Sequence, residues 1–353
     1  MPKYQYDIDH EIGEDNVQLL GMDVHNPVFF GSALLITLFV VGTLIAPVGA
    51  AGVLEGARAW TLEHAHWLFS SSILIIFGFC VLFAVMPFGR IRIGGPTAKP
   101  EFGTLSWLAM LFSAGVGIGL LFWGAAEPLA YFSGWSGTPL NVEAGTAEAR
   151  RLAMSATIFH WGLHPWAVYA LMGLALAFFA YNKGLPLTIR SCFYPLLGER
   201  VWGWSGHIID ILAVLATLFG LATSLGFGAM QTAAGLNILF GVDPGITTQI
   251  GVIIGVTSLA MLSVIRGLDK GIKVLSNINI VLAIVLLLFV LFAGPTLAIL
   301  IGIPGNAARQ RRTPPNEAIF MTSTSTGILK KAVCAQCWLT WHPSTSPGKK
   351  LKR

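Results

Sequence analysis

Long apolar stretches alternate with short polar and charged segments along the chain. Seven stretches stand out, at residues 28–50, 67–88, 104–132, 149–181, 207–240, 244–265 and 275–299. Each exceeds the roughly 18–20 residues that a helix needs to cross the hydrocarbon of a bilayer. The longest of them tilt or extend past it. Backbone amides in lipid must be satisfied inside the protein, which leaves helices or a closed barrel. These runs are too long and continuous for barrel strands. The pattern therefore predicts an all-α fold, a polytopic transmembrane helical bundle. Between residues 182 and 206, the stretch Pro186 to Leu197 has apolar residues at mixed spacing, bounded by Pro and Gly. It predicts a short helix lying in the interface.

Composition sharpens this picture. A chain of 353 residues could make two soluble domains. Its residues are 54% hydrophobic and only 11% charged, against about 25% charged in a soluble domain. Mean hydropathy is +0.71. So few charges cannot cover a water-facing surface, and the main solvent is lipid. Orientation follows from Lys and Arg in the loops. Lys3, Arg90, Arg92, Lys99, Lys183, Arg190, Arg200, Arg266, Lys270 and Lys273 lie on one side, ten in all, and Arg58, Arg150 and Arg151 on the other. This places the N-terminus in the cytoplasm; the expected setting is a bacterial-type inner membrane. Residues 1–27 are acidic and polar, and read as a cytoplasmic N-terminal segment, not a cleavable signal peptide.

The segment 300–353 differs in character. It holds nine of the 22 basic residues, a single acid (Glu317), Pro314-Pro315, and an unbroken Thr/Ser run from Thr322 to Thr326. Seven spans from a cytoplasmic N-terminus would put this basic tail outside, against the charge asymmetry of the rest. The expectation is a disordered, non-native tail after a premature end, with no nucleic-acid role for its charge. Cys80 reads as a buried thiol in an apolar run. Cys334 and Cys337 form a lone CxxC, a weak metal or redox signal without a second pair.

Several strings carry candidate chemistry. In the third span, Ser113-Ala114-Gly115-Val116-Gly117-Ile118-Gly119 puts three glycines at alternate positions. Such a stretch can loosen a helix and turn backbone carbonyls toward a ligand, as in discontinuous transporter helices. It can equally serve close helix packing. In the fourth span, Trp161, Trp166 and Tyr169 are spaced i, i+5, i+8. At about 100° per residue they fall at roughly 0°, 140° and 80°, within one half of a continuous helix. Pro165 should loosen the preceding turn. Indole faces attract a quaternary ammonium, which has no hydrogen-bond donor. Aromatic packing is the alternative, although mid-span is not where an interfacial belt belongs.

His160 and His164 at i, i+4 could bind a metal, but with no third ligand they read as satisfied polar groups, and no metal site is expected. Glu127, before Pro128, is an intramembrane carboxylate and so a functional candidate. Asp210, beside His207, can cap the fifth span. The string Thr217 to Gly226 offers hydroxyls for an ion, or back-bonding to preceding carbonyls. No nucleophile–base pair, P-loop or paired carboxylates suggest an enzyme, and no repeated filter suggests a channel.

Taken together, these strings resemble the betaine/choline/carnitine transporter family. The resemblance runs from about residue 24 to 300. It rests on Pro100-Glu101-Phe102, Gly115 to Gly119, Glu127-Pro128, Phe159 to Tyr169, Leu185 to Arg190, Gly206 to Gly226, and Asp269-Lys270-Gly271-Ile272 with Leu275-Ser276-Asn277. It implies secondary, ion-coupled carriers of trimethylammonium compounds with the LeuT-like inverted-repeat fold: two peripheral helices, here 28–103, then two five-helix repeats. Residues 104–299 would be the first repeat, and the second is missing. Trp161, Trp166 and Tyr169 match the family's aromatic box, with Gly115, Gly117 and Gly119 beside it. Ser113 and Val116 match sodium-holding positions, and Thr217 a hydroxyl ligand. A homotrimer is the assembly implied.

Departures from the family pattern bear on substrate. Gly119 stands where proton-coupled choline carriers have Asp, which favours a zwitterion such as glycine betaine. Leu221 replaces a second Thr of the sodium pattern, and with Leu185 to Arg190 looks more like the choline carriers. Substrate (glycine betaine or choline) and coupling ion (Na+ or H+) stay open, and no cofactor is implied. The expected function is quaternary ammonium uptake, with an inactive truncated fragment as the alternative.

Overall fold

The computed structural model describes residues 6, 8–11, 13–115, 117–135, 137–267, 271–297 and 299–302. Val116, the Asp269-Lys270 pair, the tail from 303 onward and its CxxC lie outside the described residues. The N-terminal segment forms a hairpin of β1 (Asn16–Leu19) and β2 (Met22–His25), antiparallel, with Leu19 paired to Met22. Leu20 and Gly21 both have positive φ, 52° and 78°, the backbone of a two-residue type I′ turn. Helices follow: α1 (Asn26–Ile45), α2 (Pro47–His64), α3 (His66–Val85), α4 (Thr104–Gly115), α5 (Ile118–Ser133), α6 (Ala147–Trp161), α7 (Leu163–Ala177), the single turn α8 (Tyr194–Leu197), α9 (Trp204–Phe240), α10 (Ile246–Ile265) and α11 (Lys273–Ala293).

Six helical stretches among the described residues are long and apolar enough to cross a membrane, and α4 with α5 makes a seventh as a broken span. The chain is an all-α polytopic membrane protein. Apolar side chains such as Leu38, Leu44, Ile254 and Leu282 are exposed along these helices, the surface expected where lipid is the solvent. At about 1.5 Å per residue, the 37 residues of α9 extend for roughly 55 Å.

Three features depart from the apolar pattern. The region 51–66, read as a loop, is mostly helix α2; Glu55, Arg58 and Glu63 dilute its hydropathy without breaking it, and Glu55 pairs with Arg58 at 2.9 Å. The third span is interrupted after Gly115, where the glycine run predicts a loosened helix. The fourth span breaks at Gly162, whose φ/ψ of −82°/−133° is not helical. Pro165 sits in the first turn of α7, where its missing N–H costs little. Its predicted effect on the preceding turn is met by that break. The helical-wheel arithmetic joining Trp161 to Trp166 and Tyr169 assumed one continuous helix, and it fails at Gly162.

The chain forms two compact units. The first comprises residues 1–54, 76–121 and 166–296. In it α11 packs along α4, α10 along α9, and α1 along α9. The predicted interfacial segment is α8 between two 3-10 turns, Ile189–Phe193 and Gly198–Trp202. It is tied to α9 by buried Arg190, whose backbone N–H donates to Asp210 Oδ1 at 3.1 Å and whose Nε lies 3.2 Å from Asp210 Oδ2. Asp210 thus anchors the interfacial segment, not the start of its own helix. Gly206 allows this close approach: a Cβ there would lie 1.7 Å from the Val201 carbonyl oxygen.

The second unit comprises, of the described residues, 55–75, 122–135, 137–165, 297 and 299–302. It holds a buried cluster of Trp123, Ala130, Tyr131, Ala153, Ala156 and Phe159, against which Phe122, Leu152 and Trp161 pack. Helix α6 starts on a capped turn, the Thr146 hydroxyl accepting from the Ala149 N–H at 3.1 Å.

Candidate functional site

The first unit holds the glycine run's start and two of the three aromatics. Helix α4 ends at Gly115, and the Trp166 ring lies against it. A Cβ built on Gly115 would stand 2.0 Å from Trp166 Cζ3 and 2.3 Å from Cη2. Only a hydrogen at that position lets the indole reach the helix end. Tyr169 follows Trp166 by three residues on α7, which places both on one face. Their ring centroids are 6.1 Å apart at an interplanar angle of 43°. Nothing lies within 4 Å of a Cβ on Gly117 or Gly119, so those two glycines are not demanded by close packing. The arrangement sets an indole against the end of α4 at Gly115, with a phenol ring beside it. That is a surface to which a fixed organic cation is attracted.

Trp161 belongs to the second unit, at the end of α6. Its Nε1–H donates to Glu127 Oε2 at 2.5 Å, and His160 Nδ1 stands 2.8 Å from Glu127 Oε1. Glu127 is 2% exposed. The carboxylate, which the sequence marks only as an intramembrane candidate, is thus bound at both oxygens. The partnership spans 33 and 34 residues, and no local spacing signals it. Sequence reasoning did find His160 to be a satisfied polar group. His164 lies beyond the break at Gly162, its ring against Phe159 with centroids 4.2 Å apart.

Of the ion-binding candidates, the Ser113 hydroxyl accepts from Asn279 Nδ2 at 3.1 Å. It lines a cavity of about 550 Å³ with Ser263, Ser276 and Asn279 among apolar neighbours. Asn279 was missed; its signal is one more polar residue beside Ser276 and Asn277 near the start of the last apolar span. The Thr217 hydroxyl donates to the Ala213 carbonyl at 2.8 Å, the back-bonding pattern usual in membrane helices. It lines a different cavity, of about 530 Å³, with Arg190 and Asp210. The structure does not bring Ser113 and Thr217 to one cavity, and Val116 lies outside the described residues.

One cluster has the donor set of a metal site: ligand atoms of Asp15, His25 and His207 lie within 4.8 Å of one another. Arg190 stands among them, with Nη2 3.1 Å from His25 Nε2 and Nη1 3.4 Å from His207 Nδ1. A guanidinium directed at both imidazole nitrogens makes this an ion-pair network that docks the hairpin, and a poor seat for a cation. Burial, then repulsion from Arg190, holds His25 below its ordinary value, against the opposing pull of Asp15 and Asp210.

Comparison with known proteins agrees with these features. The chain is 57% identical over 290 residues to glycine betaine transporter 1 of Vibrio parahaemolyticus, covering 82% of this chain and 55% of that protein. It is 46% identical over 261 residues to the glycine betaine transporter OpuD of Bacillus subtilis, covering 74% and 50%. With the high-affinity choline transport protein of Escherichia coli it shares 43% over 277 residues, 78% and 40% of the two chains. The chain spans about half the length of the curated relatives it matches. The model of the betaine/carnitine/choline family of transporters matches residues 27–335, continuing past the compositional boundary at 300. With the glycine run, the Trp-Trp-Tyr string and the broken spans in place, the chain belongs to that family, whose members are transporters.

Proposed function

We propose that the chain acts in secondary transport of quaternary ammonium compounds, glycine betaine or choline, into the cell. The observation that carries this is the Trp166 indole seated on Gly115 at the break between α4 and α5, with Tyr169 beside it. The trimethylammonium head is taken up against these ring faces. Such a head group cannot be held by hydrogen bonds, so ring faces and exclusion of water do the work. Gly119 supplies no carboxylate, which leaves glycine betaine the better-matched substrate of the two. Three of the relatives are named for the same two compounds.

Uptake against a gradient requires a driving ion, Na+ or H+, and Ser113, two residues before Gly115 on α4, is the candidate ligand on the same helix as the ring contact. The broken third span fits alternating access in a LeuT-like repeat, in which irregular backbone lines a midplane site. The proposed setting is the inner membrane with the N-terminus in the cytoplasm, consistent with the Lys and Arg asymmetry of the loops. A homotrimer is the proposed assembly.

The test is uptake of radiolabelled glycine betaine and choline by cells expressing the protein, with Na+ replaced by K+ and with the proton gradient collapsed in parallel. Trp166→Ala should raise the apparent KM by about 2- to 30-fold, the loss of one cation–π wall. Absence of uptake above an empty-vector control, or an unchanged KM in Trp166→Ala, would overturn the proposal.

A further inference from the structure

We propose that a basic cavity of the first unit, at the ends of α3 and α7, seats the phosphate ester of an anionic phospholipid headgroup, an inference independent of the substrate reading above. The cavity holds about 680 Å³, within the range of about 300–1,000 Å³ usual for small-ligand sites. Two segments wall it. One is the stretch that follows α3, with Arg90, Arg92 and Gly94; the other is the π-helical turn Phe178–Asn182 that follows α7, with Tyr181 and the adjoining Lys183. Three cations therefore line one cavity, and among the described residues no acid lines it. Among the described residues, none of the three pairs with a carboxylate either. The Lys183 ammonium stands over two rings, 5.0 Å from the Tyr6 centroid and 5.7 Å from that of Phe178.

Charges of one sign gathered in a concavity focus a positive potential there. Their mutual repulsion is relieved when an anion enters. Membrane orientation accounts for Lys and Arg in these loops, but orientation asks only for charge, not for a shaped cavity. Here the shape is fixed. The Gly94 N–H donates to Asn182 Oδ1 at 2.8 Å, and Asn182 Nδ2 donates to the Arg92 carbonyl at 3.0 Å. One amide side chain thus locks the two walls together. Arg92 Nη1 donates to the Pro96 carbonyl at 3.0 Å, which steadies the guanidinium. Gly94 and Gly95 have φ of 83° and 93°, a backbone that a side chain would strain. Helices α3 and α7 belong to stretches apolar enough to cross a membrane, so their ends meet the headgroups. Val85, Phe88 and Ile91 are exposed beside the cavity and offer apolar surface to acyl chains. Basic pockets between transmembrane helices bind anionic headgroups in this way. A zwitterionic headgroup brings its own ammonium, which three cations repel, so the cavity selects net negative charge.

The test uses the full chain, purified in detergent and titrated with phosphatidylglycerol or phosphatidylcholine of identical acyl chains, with bound lipid counted by native mass spectrometry. Phosphatidylglycerol should bind at least about tenfold more tightly. Arg90→Gln and Lys183→Gln should each weaken it about fivefold, the worth of one basic residue beside an anionic headgroup, and leave phosphatidylcholine unchanged. Arg200→Gln removes a cation that does not line the cavity and should change neither. Asn182→Ala alters no charge but unlocks the walls, and should weaken phosphatidylglycerol by a similar factor. Equal binding of the two lipids, or an equal loss in Arg200→Gln, would mean diffuse attraction and overturn the inference. Wild-type binding in Asn182→Ala would overturn it too. If Asn182→Ala fails to fold, the contrast of Arg90 and Lys183 with Arg200 still decides. Glycerol 1-phosphate and inorganic phosphate, added at millimolar concentration, distinguish the sources of the phosphate. Neither should displace phosphatidylglycerol. Lys183-dependent binding of glycerol 1-phosphate without binding of phosphatidylglycerol would overturn the lipid as occupant and leave a soluble phosphate ester in its place.

Discussion

Substituting Gly115 by Ala tests the contact on which the proposed box depends. The added Cβ would lie 2.0 Å from Trp166 Cζ3, 2.3 Å from Cη2 and 3.2 Å from Cε3. Carbon atoms in contact prefer about 3.5–4.0 Å, so the ring must retreat by about 1.5 Å or the end of α4 must yield. Overpacking of this kind costs about 1–3 kcal/mol. If the ring gives way, the ammonium loses part of a cation–π contact of about 0.5–2 kcal/mol, which corresponds to a rise in Kd of about 2- to 30-fold. Glycine betaine binding to the purified protein, followed by calorimetry, measures the loss of affinity, and the melting temperature of the same sample measures the overpacking. Gly173→Ala on α7 is the control, because nothing lies within 4 Å of a Cβ there. Wild-type affinity in Gly115→Ala, or an equal loss in Gly173→Ala, would refute the reasoning.

Further expectations follow from the anchoring of the interfacial segment. Gly206→Ala places a Cβ 1.7 Å from a backbone oxygen that cannot rotate away, so thermal stability should fall by about 1–3 kcal/mol or more, seen as a lower melting temperature in detergent. Arg190→Leu strands the Asp210 carboxylate and should destabilise by about 3–5 kcal/mol; a melting temperature within a degree of wild type would contradict the buried ion pair. His25 is held below its ordinary value, so the unfolded chain binds its proton more readily. Stability is then complete above about pH 6.5 and declines as the pH falls toward the lower folded value. Melting curves between pH 7.5 and 5 should show this slope, and His25→Gln should reduce it without abolishing it, because the neighbouring His207 also titrates, beside the same Arg190, Asp15 and Asp210.

The spans were legible in the sequence because burial in lipid imposes apolarity over the whole helix. Every predicted stretch corresponds to helix, and Gly115 and Gly117 announced the interruption of the third span. Helix α2 was not legible for the same reason in reverse: Glu55, Arg58 and Glu63 make it too polar for the criterion that finds its neighbours. The hairpin at 16–25 does alternate, with Val17 and Leu19 on one strand and Met22 and Val24 on the other, but strands of four residues each are too short for a criterion built on long apolar runs to find. At the site, residue types were legible and their grouping was only partly so. The glycine and aromatic strings named Gly115 and Trp166, but not that one requires the other. The wheel reasoning linked Trp161 to Trp166 through backbone that is not helical at Gly162. The partnerships of Glu127 with Trp161 and of Ser113 with Asn279 join residues 34 and 166 positions apart, and a single chain holds no periodic signal for such distances.

The length of α9 carries a consequence for the lipid itself. Hydrocarbon of about 30 Å cannot accommodate a rod of some 55 Å held upright, and tilts seldom exceed about 40°. Even at that lean the rod projects beyond the acyl chains, so Trp204 and Phe240 at its two ends meet the headgroups. Acyl-chain length then sets the angle at which α9 stands, and with it the strain on α1 and α10 that pack along it. Reconstitution in short-chain and long-chain phospholipids should therefore alter the protein's stability, with bilayer thickness as the controlling variable.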